Sequence, residues 1–94
     1  MKVERRTVLF SGHVQGVGFR MTAVHLSRDL ALSGTVRNLD DGRVELVAQG
    51  VTKEIDTLIS RLGEHFGALV RNVHQVTGPA VKSGAKAAGI HVVY

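Results

Sequence analysis

The sequence predicts an α+β fold, a split β-α-β sandwich in which one antiparallel sheet carries two helices on one face. Three observations support this. Period-two alternation marks strands at residues 5–11 and 43–49, with a further strand over 35–39. Two amphipathic stripes mark helices: Phe19, Ala23, Leu26 and Leu30, then Val51, Ile55, Leu58, Ile59 and Leu62. Asp40-Asp41-Gly42 stands between two of the strand runs and suits a tight hairpin, since Asp and Gly tolerate positive φ. The resulting order is β-α-β-β-α-β with a short terminal strand.

Each element has its own local reason. In the first strand Arg6, Val8 and Phe10 face one way and Thr7, Leu9 and Ser11 the other, and Gly12 ends it. A glycine-rich loop runs to Phe19, and the first helix extends from Arg20 to about Ala31. The strand over 35–39 pairs through the Asp40-Asp41-Gly42 turn with the strand over 43–49, whose Val44, Leu46 and Ala48 share a face. Gly50 punctuates, and the second helix covers residues 52–62 with Thr52 as its N-cap and Gly63 and Gly67 bracketing the exit. Residues 68–73 form the next strand, residues 78–89 read as a mobile loop of small residues with two lysines, and residues 90–94 close the sheet.

The 94 residues make one domain, residues 1–94, small enough to bury only ~60–65% of the unfolded surface. At 44% hydrophobic and 21% charged the chain reads as globular and soluble rather than disordered. It has no cysteine, which excludes disulfides and thiolate metal sites. Met1 to Phe10 carry four charges and no signal-peptide core, and no apolar run is long enough to span a membrane, so the expected location is cytoplasmic. A net charge of +4 favours anionic partners, but Arg5, Arg6, Arg28, Arg43, Lys53, Arg71, Lys82 and Lys86 are scattered and read as a solvated surface.

The most informative stretch is Phe10-Ser11-Gly12-His13-Val14-Gln15-Gly16-Val17-Gly18-Phe19-Arg20. Glycines let backbone amides approach a ligand closely. The helix that follows turns its unpaired N–H groups and positive dipole end toward the loop, a setting for phosphate. Arg20 adds a planar fork of donors that can hold two phosphate oxygens. Met21 stands where a dinucleotide fingerprint needs its third glycine, and no Gly-Lys-Ser or Gly-Lys-Thr is present for a Walker loop.

The stretch resembles the acylphosphatase signature Gly-x-Val-Gln-Gly-Val-x-Phe-Arg, matched at Gly12, Val14, Gln15, Gly16, Val17, Phe19 and Arg20. A second signature, Gly-x-Val-Arg-Asn followed by Asp-Gly, is matched by Gly34-Thr35-Val36-Arg37-Asn38 with Asp41-Gly42. The resemblance covers nearly the whole chain and implies a ferredoxin-like fold. The chain departs from the family pattern at Ala31, where a left-handed glycine commonly ends the helix, and keeping that geometry would cost roughly 1 kcal/mol. It departs also at Thr35 (Trp in the family), Glu64-His65 (Gly-Pro) and Ile90 (an aromatic).

The resemblance implies hydrolysis of acyl phosphates, with Arg20 and the loop amides from His13 through Val14, Gln15, Gly16, Val17, Gly18 and Phe19 binding the phosphoryl group. It makes Asn38 the group that orients the attacking water; on its own spacing Asn38 reads as a turn residue. An acyl phosphate leaves as a carboxylate whose conjugate acid has a pKa of only ~4–5, so no general acid is needed. Phosphoryl transfer is catalysed mainly by positioning and charge stabilisation. No cofactor and no metal are expected: His13, His25, His65, His74 and His91 lack paired ligand spacing, and Asp40 and Asp41 read as solvated turn formers. The implied partners are a small-molecule acyl phosphate and inorganic phosphate as product and inhibitor, with no nucleic acid and no membrane, acting on a monomer. An RNA-recognition module has the same element order, but the third strand lacks the aromatics that stack bases. A phosphate-sensing module without turnover would share the same loop.

Overall fold

The computed structural model describes residues 2–81 and 89–94. Strand β1 (Val3–Gly12) leads through the glycine loop to helix α1 (Phe19–Leu26), then to strands β2 (Leu32–Asn38) and β3 (Val44–Val51). Helix α2 (Thr52–Phe66) follows, then a 3-10 turn (Gly67–Leu69) and strands β4 (Val70–Pro79) and β5 (Gly89–Val92). The sheet order is β4-β1-β3-β2-β5.

The sheet is mixed rather than wholly antiparallel. β1 with β3, β1 with β4 and β2 with β3 pair antiparallel, but β5 runs parallel to β2. Strand direction explains the difference. The antiparallel pairs make β2 run with β1 and against β4. A chain that reverses after β4 and joins the far edge therefore arrives running alongside β2.

The core lies between the sheet and the two helices. Val8 and Phe10 of β1, Val36 of β2, Val44, Leu46 and Ala48 of β3 and Ile90 of β5 point into it. Phe19 and Ala23 of α1 and Ile55, Leu58, Leu62 and Phe66 of α2 meet them. Three rings form its spine, with Phe19 4.8 Å from Phe10 and 4.7 Å from Phe66, centroid to centroid. Offset aromatic pairs of this kind add about 0.5–1.5 kcal/mol beyond their buried area.

Helix α1 stops at Leu26, five residues short of Ala31. The cause lies across the fold. Arg61 of α2 donates to the Leu26 carbonyl at 2.8 Å and pairs with Asp29 at 2.7 Å. With that carbonyl taken, the Leu30 amide turns to Ser27 instead, 3.0 Å away. The Ser27 hydroxyl donates to the Val24 carbonyl, which closes the helix end. Among the described residues no non-glycine has positive φ, so the strain expected at Ala31 does not arise.

Helix α2 continues past Leu62 to Phe66, with Gly63 inside it and Gly67 at its C-cap. Thr52 is not its N-cap: Val51 is, and no side chain caps the helix. The Thr52 hydroxyl is already committed, donating to Glu4 Oε1 at 2.7 Å. Glu4 is in turn paired with Arg6, and Arg6 is not a surface cation. It is 7% exposed and donates to Glu4, Asp56 and Gln75 at 2.8, 2.6 and 3.0 Å. Alternation on β1 puts both Glu4 and Arg6 on the inward face, at the end where α2 begins.

β4 starts at Val70 rather than residue 68, because residues 67–69 turn as 3-10 helix, and it runs on to Pro79. Of the loop read over residues 78–89, residues 82–88, with Lys82 and Lys86, lie outside the described residues. Gly34, at the head of the second signature, has φ 149°, and a Cβ there would lie 1.7 Å from the Val47 carbonyl oxygen on β3. Only glycine lets these two strands approach so closely.

Candidate active site

The loop between β1 and α1 gathers at one end of the sheet, where β2 and β5 also end. Gly16 and Gly18 have φ 76° and 78°, so the backbone turns through the left-handed region twice within three residues. Gly18 is the N-cap of α1 and offers no capping side chain. The first helical bond runs from the Thr22 amide to the Gly18 carbonyl at 3.0 Å. The amides of Phe19, Arg20 and Met21 therefore precede it and have no acceptor within the helix. Among the described residues, the amides of residues 14–18 also reach no backbone carbonyl.

Three hydrogen bonds and two buried side chains hold this loop. The His13 amide donates to the Leu69 carbonyl at 2.8 Å. Gln15 reaches the turn between β2 and β3, its Nε2 donating to the carbonyls of Leu39 and Arg43 at 2.8 and 3.0 Å. Val14 and Phe19 are buried in the core. The loop is thereby fixed beside Asn38, the last residue of β2.

A cleft of about 120 Å³ results. Of the sequence-predicted residues, Val14, Gly16, Gly18, Phe19, Arg20 and Asn38 line it. His13, Gln15 and Val17 do not. The His13 amide is spent on Leu69, Gln15 acts as a brace, and Val17 packs against the core.

Met21, Val92 and Tyr94 complete the lining and were not foreseen. The Tyr94 ring lies against the Arg20 guanidinium, 5.0 Å from its centre. Only the parallel pairing of β5 with β2, which sets Val92 opposite Val36, brings this end of the chain to the cleft. No short-range pattern in the sequence signals that pairing.

Two polar side chains of the cleft make no ion pair or hydrogen bond among the described residues. Arg6, Arg37, Arg43 and Arg61 are each tied to a carboxylate. Arg20 makes no ion pair among the described residues, and the first turn of α1 contains no acid to balance it. The Asn38 amide likewise has no partner among the described residues, whereas Arg37 lies on the opposite face and donates to Glu45 at 2.8 Å. Asp41 belongs to the turn: the backbone N–H of Arg43, aided by its guanidinium, holds the carboxyl below its usual range. Among the described residues no three His, Asp or Glu side chains cluster as metal ligands. No helix among them is long and apolar enough to cross a membrane.

A larger hollow of about 610 Å³ opens between the end of α1 and the edge formed by β2 and β5. Val24, Leu30 and Ile90 line it together with Arg28, but neither Arg20 nor Asn38 reaches it. The smaller cleft is the one that brings Arg20 and the Asn38 carboxamide together with the glycine loop.

The acylphosphatase family model matches residues 6–88. A curated acylphosphatase of Methanospirillum hungatei is 43% identical over 74 residues, 77% of this chain and 81% of that protein. One from Corynebacterium glutamicum is 42% identical over 74 residues, 79% of each chain. Among solved structures, an acylphosphatase from Coxiella burnetii superposes with TM-score 0.80 at 34% identity, over 97% of this chain and 93% of that one. The acylphosphatase from Bacillus subtilis superposes with TM-score 0.84 at 24% identity, over 99% and 100% of the two chains, and supports the fold.

Proposed function

The chain belongs to the acylphosphatase family and hydrolyses acyl phosphates, and from that premise we propose how its cleft does so. The amides of residues 14–21 and the Arg20 guanidinium hold the three phosphoryl oxygens. Asn38 holds a water on the far side of the phosphorus from the departing carboxylate. Its carbonyl accepts from the water while its NH₂ donates to a phosphoryl oxygen. The water oxygen bonds to phosphorus as the bond to the carboxylate oxygen breaks, giving carboxylate and inorganic phosphate.

The carboxylate leaves with its electron pair unprotonated, because its conjugate acid has a pKa of only ~4–5. No side chain has to act as general acid, nucleophile or metal ligand. Catalysis comes from charge stabilisation that strengthens as the transition state forms and from alignment of the water. Inorganic phosphate, the product, occupies the same cradle and competes with substrate.

One observation carries this reading: the unpaired Arg20 fork and the unpaired Asn38 carboxamide line one small cleft with the glycine loop. The test is loss of benzoyl phosphate in EDTA, followed beside a phosphate monoester. Hydrolysis of the anhydride alone, undiminished by EDTA, is expected. Activity that EDTA abolishes and magnesium restores, or comparable monoester hydrolysis, overturns the mechanism.

A further inference from the structure

We propose that Met21 and Tyr94 form an acyl-group subsite beside the phosphate cradle, favouring an apolar acyl chain and above all an aromatic one. The inference rests on the reading of the cleft given above and names the substrate class that the phosphate motif leaves open.

The lining divides by chemistry. Gly16, Gly18, Arg20 and Asn38 offer N–H groups and a carboxamide, whereas Val14, Phe19, Val92, Met21 and Tyr94 contribute mainly apolar surface. Met21 is 63% exposed and Tyr94 99% exposed. A folded protein exposes single apolar side chains routinely, so exposure alone says little. Two of the largest exposed apolar side chains flanking one 120 Å³ polar cleft is a more specific arrangement.

Each suits the task. A methionine thioether is polarisable and adapts to varied shapes, favouring contact with ring edges. The Tyr94 ring lies against Arg20 with one face and leaves the other open. A flat acyl group attached to a phosphoryl held by Arg20 can stack there in the offset manner that aromatic pairs prefer. The stack on Arg20 also restrains the guanidinium while its N–H edges stay free for phosphate.

Charge works in the same direction. Arg20 is the one ionised side chain lining the cleft among the described residues. Once the phosphoryl group has taken it, a second charge on the acyl chain meets no counter-ion and loses water without compensation.

The experiment compares kcat/KM for benzoyl phosphate and acetyl phosphate, with the inhibition constant of inorganic phosphate as a third readout. It uses the wild type, Met21→Ser, Tyr94→Ala and Tyr94→Phe. The wild type is expected to prefer benzoyl phosphate. Tyr94→Ala and Met21→Ser lower the benzoyl-to-acetyl ratio, together by about tenfold, the scale of a lost aromatic contact and its burial. Tyr94→Phe keeps the ratio. A ratio unchanged within about twofold in both apolar-loss variants overturns the subsite. A Tyr94→Ala variant that slows both substrates equally and weakens phosphate inhibition also overturns it, since Tyr94 would then act only through Arg20. A wild type that hydrolyses neither anhydride is a different result and removes the proposed function itself. Both side chains are exposed, so the variants keep the fold, which circular dichroism checks.

Discussion

Arg20 occupies a place where a lone cation is disfavoured, since the first turn of a helix carries the positive end of the dipole. No acid stands in that turn, so an anion bound in the cradle would supply the balance. Arg20→Ala should therefore weaken inorganic phosphate binding at least about tenfold, the worth of a charged hydrogen bond, and nearly abolish turnover. Calorimetry giving equal affinity for variant and wild type would remove Arg20 from the site. Asn38 should behave differently. If it holds the water, Asn38→Ala lowers kcat sharply and leaves phosphate affinity nearly unchanged, because the interaction matters chiefly in the transition state. Asn38→Asp keeps an acceptor but sets a negative charge beside the phosphate, so it harms binding as well. Near-wild-type kcat in folded Asn38→Ala would return Asn38 to a mere turn residue. At this scale the sequence was informative where residues sit close together in motifs. Arg20 and Asn38 stand out because signatures at residues 12–20 and 34–38 flank them. Met21 and Tyr94 do not, because one lies just outside a signature and the other follows β5, which reaches the site only by pairing with β2.

Among the elements, the tightest constraint is the approach of β2 to β3 at Gly34. A methyl group there would overlap the Val47 carbonyl, at 1.7 Å, and meet a φ of 149° that side chains rarely adopt. Gly34→Ala should destabilise the fold by about 3 kcal/mol, the upper end for overpacking, read from urea denaturation. A loss below about 1 kcal/mol would mean that the strands slide apart freely. Because Asn38 ends the same strand, activity should fall with stability. Strand and helix cores were legible throughout, since alternation at Val44, Leu46 and Ala48 and helical spacing at Ile55, Leu58 and Leu62 are local patterns. Element ends were not. The end of α1 is decided by Arg61, which is 35 positions from the Leu26 carbonyl it takes. The start of α2 lacks its threonine cap because Glu4, 48 positions away, holds the Thr52 hydroxyl. Gln15 shows the same limit within a motif: its identity was read, but its bond to the turn after β2 is tertiary. Gln15→Ala should accordingly loosen the loop, raising KM for acyl phosphate and weakening phosphate inhibition together, with the melting temperature little changed. A variant with unchanged phosphate inhibition would show that the brace is dispensable.

For the whole molecule, the fold has to join α2 to a sheet whose far edge it does not cover, and it does so with charge. Glu4, Arg6, Asp56, Gln75 and Thr52 link β1, β4 and the start of α2 into one hydrogen-bonded group, with Glu4 4% and Arg6 7% exposed. Donation from the Thr52 hydroxyl, then from Arg6, holds the Glu4 carboxyl below its ordinary value of 4.5. Asp29, bonded by Arg61, and Asp41, bonded by the Arg43 amide, are lowered too. The sign follows from proton binding. A carboxyl lowered in the folded state takes up its proton more readily when unfolded, so acid favours unfolding. This stabilisation is complete above the ordinary value and disappears as pH falls through the lower folded one. The chain, already at +4 near neutrality, also gains positive charge as its carboxylates protonate, which adds self-repulsion. Melting temperature should hold steady from about pH 7 to about pH 5 and fall steeply below about pH 4. Glu4→Gln separates the network from the general charge effect. The variant keeps an acceptor for Thr52 but leaves Arg6 with Asp56 as its one charged partner, so it should melt several degrees lower at neutral pH. Removing the buried partner leaves the Arg6 charge compensated by the exposed Asp56 alone. In acid the difference should shrink, because the wild type then loses the same charge by protonation. Thermal melts of both proteins across this range decide the matter: converging curves assign the acid sensitivity to Glu4, and parallel curves would assign it to the exposed carboxylates instead.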